Sequence, residues 1–120
     1  MGPEVIEGIQ ITSAATMKMY GIDRDDFVRM LKEQGFVCPI CRKQPVCQDK
    51  RCKTTVPHGH MHIDHVHVRG FKRMDPAVRR TYVRGLVCQF CNRFVLARTL
   101  TLAKARAVVK YLETYGDGRL

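Results

Sequence analysis

Two Cys-x-x-Cys pairs, Cys38/Cys41 and Cys88/Cys91, constrain the fold more than any other feature of this chain. Forty-six residues lie between them. Each pair puts two sulfurs on one tight turn, and four thiolates at that spacing close a tetrahedral zinc site. A redox centre needs only one such pair, so two favour metal. Four sulfurs fill the coordination sphere, so the expected single zinc holds structure and has no open position for chemistry. It also pins together the ends of the intervening segment. That matters in a chain of 120 residues, which can bury only a modest core and gains stability from metal.

Around this staple the periodicities predict an α+β fold. Residues 1–13 show no clear period and read as a tail or short strand. Helices are expected within 14–35, where Gly21 separates two of them and Asp23 is a good N-cap, with Asp25 and Asp26 favourable beside it. Phe27, Met30 and Leu31 make one apolar stripe. Within 36–98 the pattern gives a knuckle, an irregular loop over 42–60, a strand from Met61 to Val68, a long basic connection, and a short returning strand at Gly85–Val87. The second knuckle and a helix from Asn92 follow. A last helix over 101–115 carries Leu102, Ala105, Val108, Val109 and Leu112 on one face. Residues 14–120 thus read as one domain.

Between the cysteine pairs lies His62-Ile63-Asp64-His65-Val66-His67, and Asn92 follows the last cysteine. The staple is expected to bring Asp64, His65 and Asn92 near one another. A carboxylate and an amide carbonyl are hard oxygen donors suited to magnesium or manganese, which keep waters and accept phosphate oxygens. An imidazole titrates near neutral pH and can take a proton from an attacking water. Neighbours on a flat strand face opposite ways, so for Asp64 and His65 to share a site the strand must end or bulge between them. His67 is a further candidate at the site, and His62 a weaker one. A surface-exposed strand edge is the bland alternative for these histidines.

Lys and Arg number 21 against 11 acids, a formal charge of +10, which points to a polyanionic partner, nucleic acid first. Arg69, Lys72, Arg73, Arg79, Arg80 and Arg84 are concentrated in the connection beside the proposed site and are the candidate phosphate contacts. No apolar run approaches a membrane span, and the N-terminus lacks the pattern of a secretory signal, so a soluble intracellular protein with reduced cysteines is expected. Cys47, Cys52, His58 and His60 form a candidate second zinc set, with free thiols and loop histidines as the simpler reading. Together these features suggest metal-dependent hydrolysis of a phosphodiester. A zinc-stabilised DNA-binding module without chemistry would need the cysteines and basic residues, but not Asp64, His65 and Asn92 together.

At these residues the sequence resembles the phage recombination endonuclease VII family of His-Me finger (HNH-type) nucleases. The likeness runs over about residues 18–98, through Tyr20-Gly21-Ile22, Leu31 to Gln34, Cys38-Pro39-Ile40-Cys41, His62 to His67, and Val83-Arg84-Gly85-Leu86-Val87-Cys88 to Cys91-Asn92. The resemblance implies a small ββα-metal core with structural zinc on Cys38, Cys41, Cys88 and Cys91. It further implies a magnesium-dependent endonuclease cutting branched or distorted DNA, including four-way (Holliday) junctions. By position, Asp64 and Asn92 match the family's catalytic metal ligands and His65 its general base. A cytoplasmic phage protein in an infected bacterium is an expectation from the same source, and the apolar face of the last helix could serve a homodimer. A general or site-preferring HNH nickase on duplex DNA is the alternative within the class. Two features depart from the family pattern: the long Cys- and His-bearing loop after Cys41, and the end of the sequence soon after the last helix, where larger junction resolvases continue.

Overall fold

The structure, a computed structural model, describes residues 4–46, 59–97 and 99–116. It is a mixed α+β fold with two small sheets. Strands β1 (Val5–Ile6) and β2 (Ile9–Gln10) form a hairpin, and β3 (Gly59–His60) joins β2 in parallel. The second sheet is the antiparallel pair β4 (His62–His65) and β5 (Val83–Val87). Residues 4–13 therefore contain more order than the sequence pattern reveals. Gly59 is required there, because a Cβ would lie 2.1 Å from the Pro45 carbonyl oxygen.

Helix α1 (Ala14–Met19) starts at Ser13, whose hydroxyl accepts from the Thr16 N–H. Helix α2 (Arg24–Glu33) starts at Asp23 with a reciprocal capping box: Asp26 N–H donates to Asp23 at 2.8 Å, and Asp23 N–H to Asp26 at 3.1 Å. Its stripe turns inward, with Phe27 and Leu31 fully buried and Met30 packed beside them. These residues share one core with Ile9, Met17, Ile63 and Leu86. Gln34, just past α2, exchanges two hydrogen bonds with the Leu86 backbone, donating to its carbonyl at 2.8 Å and accepting from its N–H at 2.9 Å. The outer edge of β5 is thereby fastened to the end of α2.

The connection between β4 and β5 is more structured than its charge suggests. It holds a 3-10 turn at Phe71–Arg73 and the short helix α3 (Pro76–Arg80), which Pro76 opens in the first turn. Asp75-Pro76 was the local signal for that helix. Gly21, at φ 73°, lets α1 and α3 approach, since a Cβ would meet the Pro76 carbonyl oxygen at 2.0 Å.

After the second knuckle the chain forms a π-helical turn, Cys91–Val95, where a regular helix was expected. The long helix α4 (Leu102–Tyr115) begins at a Thr101 cap and has no buried residue. Its expected apolar face is exposed: Leu102 is 66%, Val108 52% and Val109 54% accessible. No helix among the described residues is long and apolar enough to cross a membrane.

Candidate active site

The four sulfurs of Cys38, Cys41, Cys88 and Cys91 lie within 4.8 Å of one another. Cys38 follows α2 in a tight knuckle, where its N–H donates to the Lys43 carbonyl and its carbonyl accepts from Arg42 N–H. Cys88 follows β5, and Cys91 opens the π-helical turn. The Cys41 and Cys88 sulfurs are 3.8 Å apart. That is far beyond an S–S bond of about 2.05 Å, and close to the ~3.8 Å edge of a tetrahedron with metal–sulfur distances of about 2.3 Å. The set could hold a structural metal such as zinc.

Its electrostatics ask for a cation. Burial pushes the Cys91 thiol up, and the neighbouring sulfurs push it further. Burial acts in the same direction on Cys38, but backbone N–H groups of Cys88, Cys41 and Ile40 prevail and bring it down to about 7. Packed thiols with backbone donors aimed at one of them form a ready thiolate site.

The strand pair carries the remaining candidates. Asp64 lies opposite Gly85 and His65 opposite Val83, so Arg84 is an extra residue on β5. The irregularity that alternation demanded between Asp64 and His65 is present, but it is carried by the partner strand. A bulge bends its strand and re-aims side chains. Here the Arg84 guanidinium reaches Asp64 through two bonds, Nε to Oδ2 at 2.7 Å and Nη2 to Oδ1 at 3.0 Å. The Asp64 side chain is only 6% exposed, against 44% for Arg84.

His65 projects into an aromatic nest. Its ring stacks on Phe71 with centroids 4.2 Å apart and on His67 at 4.9 Å, and Tyr20 meets it at 5.4 Å, tilted by 47°. Burial lowers the imidazole's pKa, the charge of His67 lowers it further, and Asp64 opposes both. A lowered pKa favours the neutral imidazole, the form able to accept a proton. Arg79 braces the nest from behind, donating to the carbonyls of Met19 at 2.8 Å, Phe71 at 3.2 Å and Lys72 at 2.7 Å. It thus ties the end of α1 to the turn that supplies Phe71.

Asn92 lies on the π-helical turn, half-buried, with its N–H bonded to the Cys88 carbonyl at 2.9 Å. Its side-chain amide makes no hydrogen bond within the described residues. His67 is exposed beside His65, and His62 is half-buried at the start of β4.

The six basic residues divide into two groups. Arg79, Arg80 and Arg84 hold internal partners, Arg80 gripping Asp26 and the Gly21 carbonyl. Arg69, Lys72 and Arg73 are exposed, and their side chains have no partner among the described residues. Cys47, Cys52 and His58 of the candidate second zinc set lie outside the described residues, while His60 is exposed on β3. Sequence reasoning missed the contacts of Tyr20 and Phe71 with His65 and the internal duties of three arginines. No local pattern marks them, because each is made across elements.

A four-sulfur cluster beside a bulged hairpin, which bears an imidazole and a buried carboxylate, defines a small α+β protein with a cysteine cluster that could bind zinc. The sequence model of recombination endonuclease VII matches residues 13–114, and the chain belongs to that family. It is accordingly an endonuclease acting on DNA. No curated protein and no solved structure matches the chain.

Proposed function

We propose that this endonuclease hydrolyses phosphodiester bonds in branched or distorted DNA, four-way junctions included, with a divalent metal and His65 as general base. The observation that carries the reading is the bulged pair β4–β5, which turns His65 into a half-buried aromatic nest while Asp64 faces inward beside it. β4, β5 and the turn after Cys91 would form the ββα-metal (His-Me finger) core, with zinc on the four cysteines. The donor set fits a hard cation: Asp64 offers carboxylate lone pairs beyond the two directed at Arg84, and the Asn92 amide has no hydrogen bond among the described residues. Asp64 and Asn92 would hold magnesium or manganese, which when bound supplies charge neutralisation at the phosphate and the leaving oxygen.

The protein's own part is positional. His65 takes a proton from water as the water oxygen bonds to phosphorus and the opposite P–O bond breaks. Phe71, His67 and Tyr20 restrict the imidazole's rotation. Arg69, Lys72 and Arg73 hold flanking phosphates without reading sequence. Arg84 keeps the Asp64 carboxylate aimed through its two hydrogen bonds. Resolving a junction takes two nicks, so two active sites are needed, and the exposed stripe of α4 is the face through which two copies would pair.

The test is cleavage of a labelled four-way junction, a duplex and a single strand, each with magnesium, with manganese and without divalent ion, beside Asp64→Ala and His65→Ala. Paired metal-dependent nicks in the junction, absent in both variants, are expected. Equal cutting of all three DNAs would instead indicate a general nickase. Both oxygens of Asp64 lie in the arginine fork, which favours a second reading, a DNA-binding module without chemistry. Binding without cutting under every condition would establish it.

A further inference from the structure

A cleft of about 790 Å³ opens on the knuckle side of the hairpin, between Lys43–Val46, His60 and His62 and the residues Gln89, Phe90, Arg93 and Phe94. That is within the range of pre-formed small-ligand sites, roughly 300–1,000 Å³. Two observations separate it from an ordinary groove. Phe90 and Phe94 are 63% and 62% exposed, with centroids 5.1 Å apart, Phe90 just before the turn that carries Asn92 and Phe94 within it. Large exposed aromatic rings side by side on a small protein mark a surface made for a partner. Lys43 and Arg93 supply its cations, Cys41 and Cys88 also line it, and no carboxylate does among the described residues. Arg93 lies over the Phe94 ring at 5.4 Å, so cation and stacking surface are joined.

An aromatic platform rimmed by cations fits a flat, apolar ring carried on an anionic chain. Base-paired DNA hides its ring faces in the stack, whereas an unpaired base exposes them. We propose that this cleft receives an unpaired nucleobase of the DNA substrate, stacked on Phe90 and Phe94, with Lys43 and Arg93 on the adjoining phosphates. The inference rests on the nuclease reading for its choice of DNA and names the feature of the substrate that is recognised. Because Phe94 and Arg93 share a turn with Asn92, a captured base registers the strand against the site.

The probe is a duplex oligonucleotide with 2-aminopurine as a single-base bulge, compared with the same duplex carrying it paired, titrated with the full chain without added divalent ion. Quenching of the bulged probe and about tenfold tighter binding than to the paired one are expected, the scale of base–aromatic stacking. Phe94→Ala, alone or with Phe90→Ala, should abolish the preference, and Phe94→Trp should retain it. Equal affinity for both probes overturns the proposal. So does a Phe94→Ala protein that melts earlier yet keeps the preference, since the rings then pack within the protein. Cleavage in magnesium is read separately. A wild-type protein that captures the base but cuts nothing sinks the nuclease reading and supports the cleft; one that cuts without base preference sinks the cleft alone.

Discussion

Asp26 and Asp64 are both gripped by arginine, and the contrast between them separates scaffold from site. Asp26 completes the capping box of α2 and holds Arg80 and Arg29, and the Arg80 guanidinium, ahead of every other influence, keeps its carboxyl far below the usual carboxylate range. A pKa depressed by folding stabilises the fold above the unfolded value near 4 and loses that contribution as pH falls below it. Asp26→Asn retains an acceptor for the cap and removes the charge. We expect it to lower unfolding free energy by about 1–2 kcal/mol at pH 7, a figure reduced because Arg80 is half exposed. Urea unfolding at pH 7 and pH 2.5 should show the gap between variant and wild type closing in acid. At Asp64 the partnership serves the proposed site. His65→Ala, which leaves that pair intact, should cut slower by at least ~100-fold, with DNA affinity within about twofold of wild type. Filter binding and single-turnover cleavage measured together check this.

Among the elements, β5 is the one most in need of outside support. Among the described residues it has a single strand partner, and Gln34 satisfies the Leu86 backbone on its other edge. Gln34→Ala leaves a buried N–H and a carbonyl unpaired, and should cost about 1–3 kcal/mol. Chemical denaturation measures the loss, and amide exchange should show it concentrated at Leu86. Helix α4 is the opposite case, an element that contributes nothing to the core. Val108→Glu with Leu112→Glu should therefore leave the melting of a monomer nearly unchanged while turning a dimer into monomers in analytical ultracentrifugation. Local sequence reveals α2 well, because Asp23, Asp26 and the Phe27/Leu31 stripe all act within one helix. It reveals β4 and β5 only as patterns. The position of the bulge depends on which residue of β5 finds no opposite number, and Arg84 is identified only when the two strands pair.

At the scale of the whole molecule, the staple joins the end of α2 to the end of β5 and closes a segment of 46 residues. One zinc per chain is expected by elemental analysis. Stripping it with a strong chelator, or Cys38→Ser, should abolish cooperative thermal unfolding, because metal binding and folding share one free energy. The cysteine spacing, the helix caps, the net charge and the residues available for chemistry are properties of short stretches, and the sequence alone determined them. Tertiary structure decided the rest: that Arg79, Arg80 and Arg84 turn inward while Arg69, Lys72 and Arg73 remain exposed, that Phe71 and Tyr20 enclose His65, and that Phe90 and Phe94 line a cleft. The physical reason is range. Capping and metal-ligand spacing act over a few residues, whereas the partner of a guanidinium or of an aromatic face is whatever the fold brings beside it from tens of residues away.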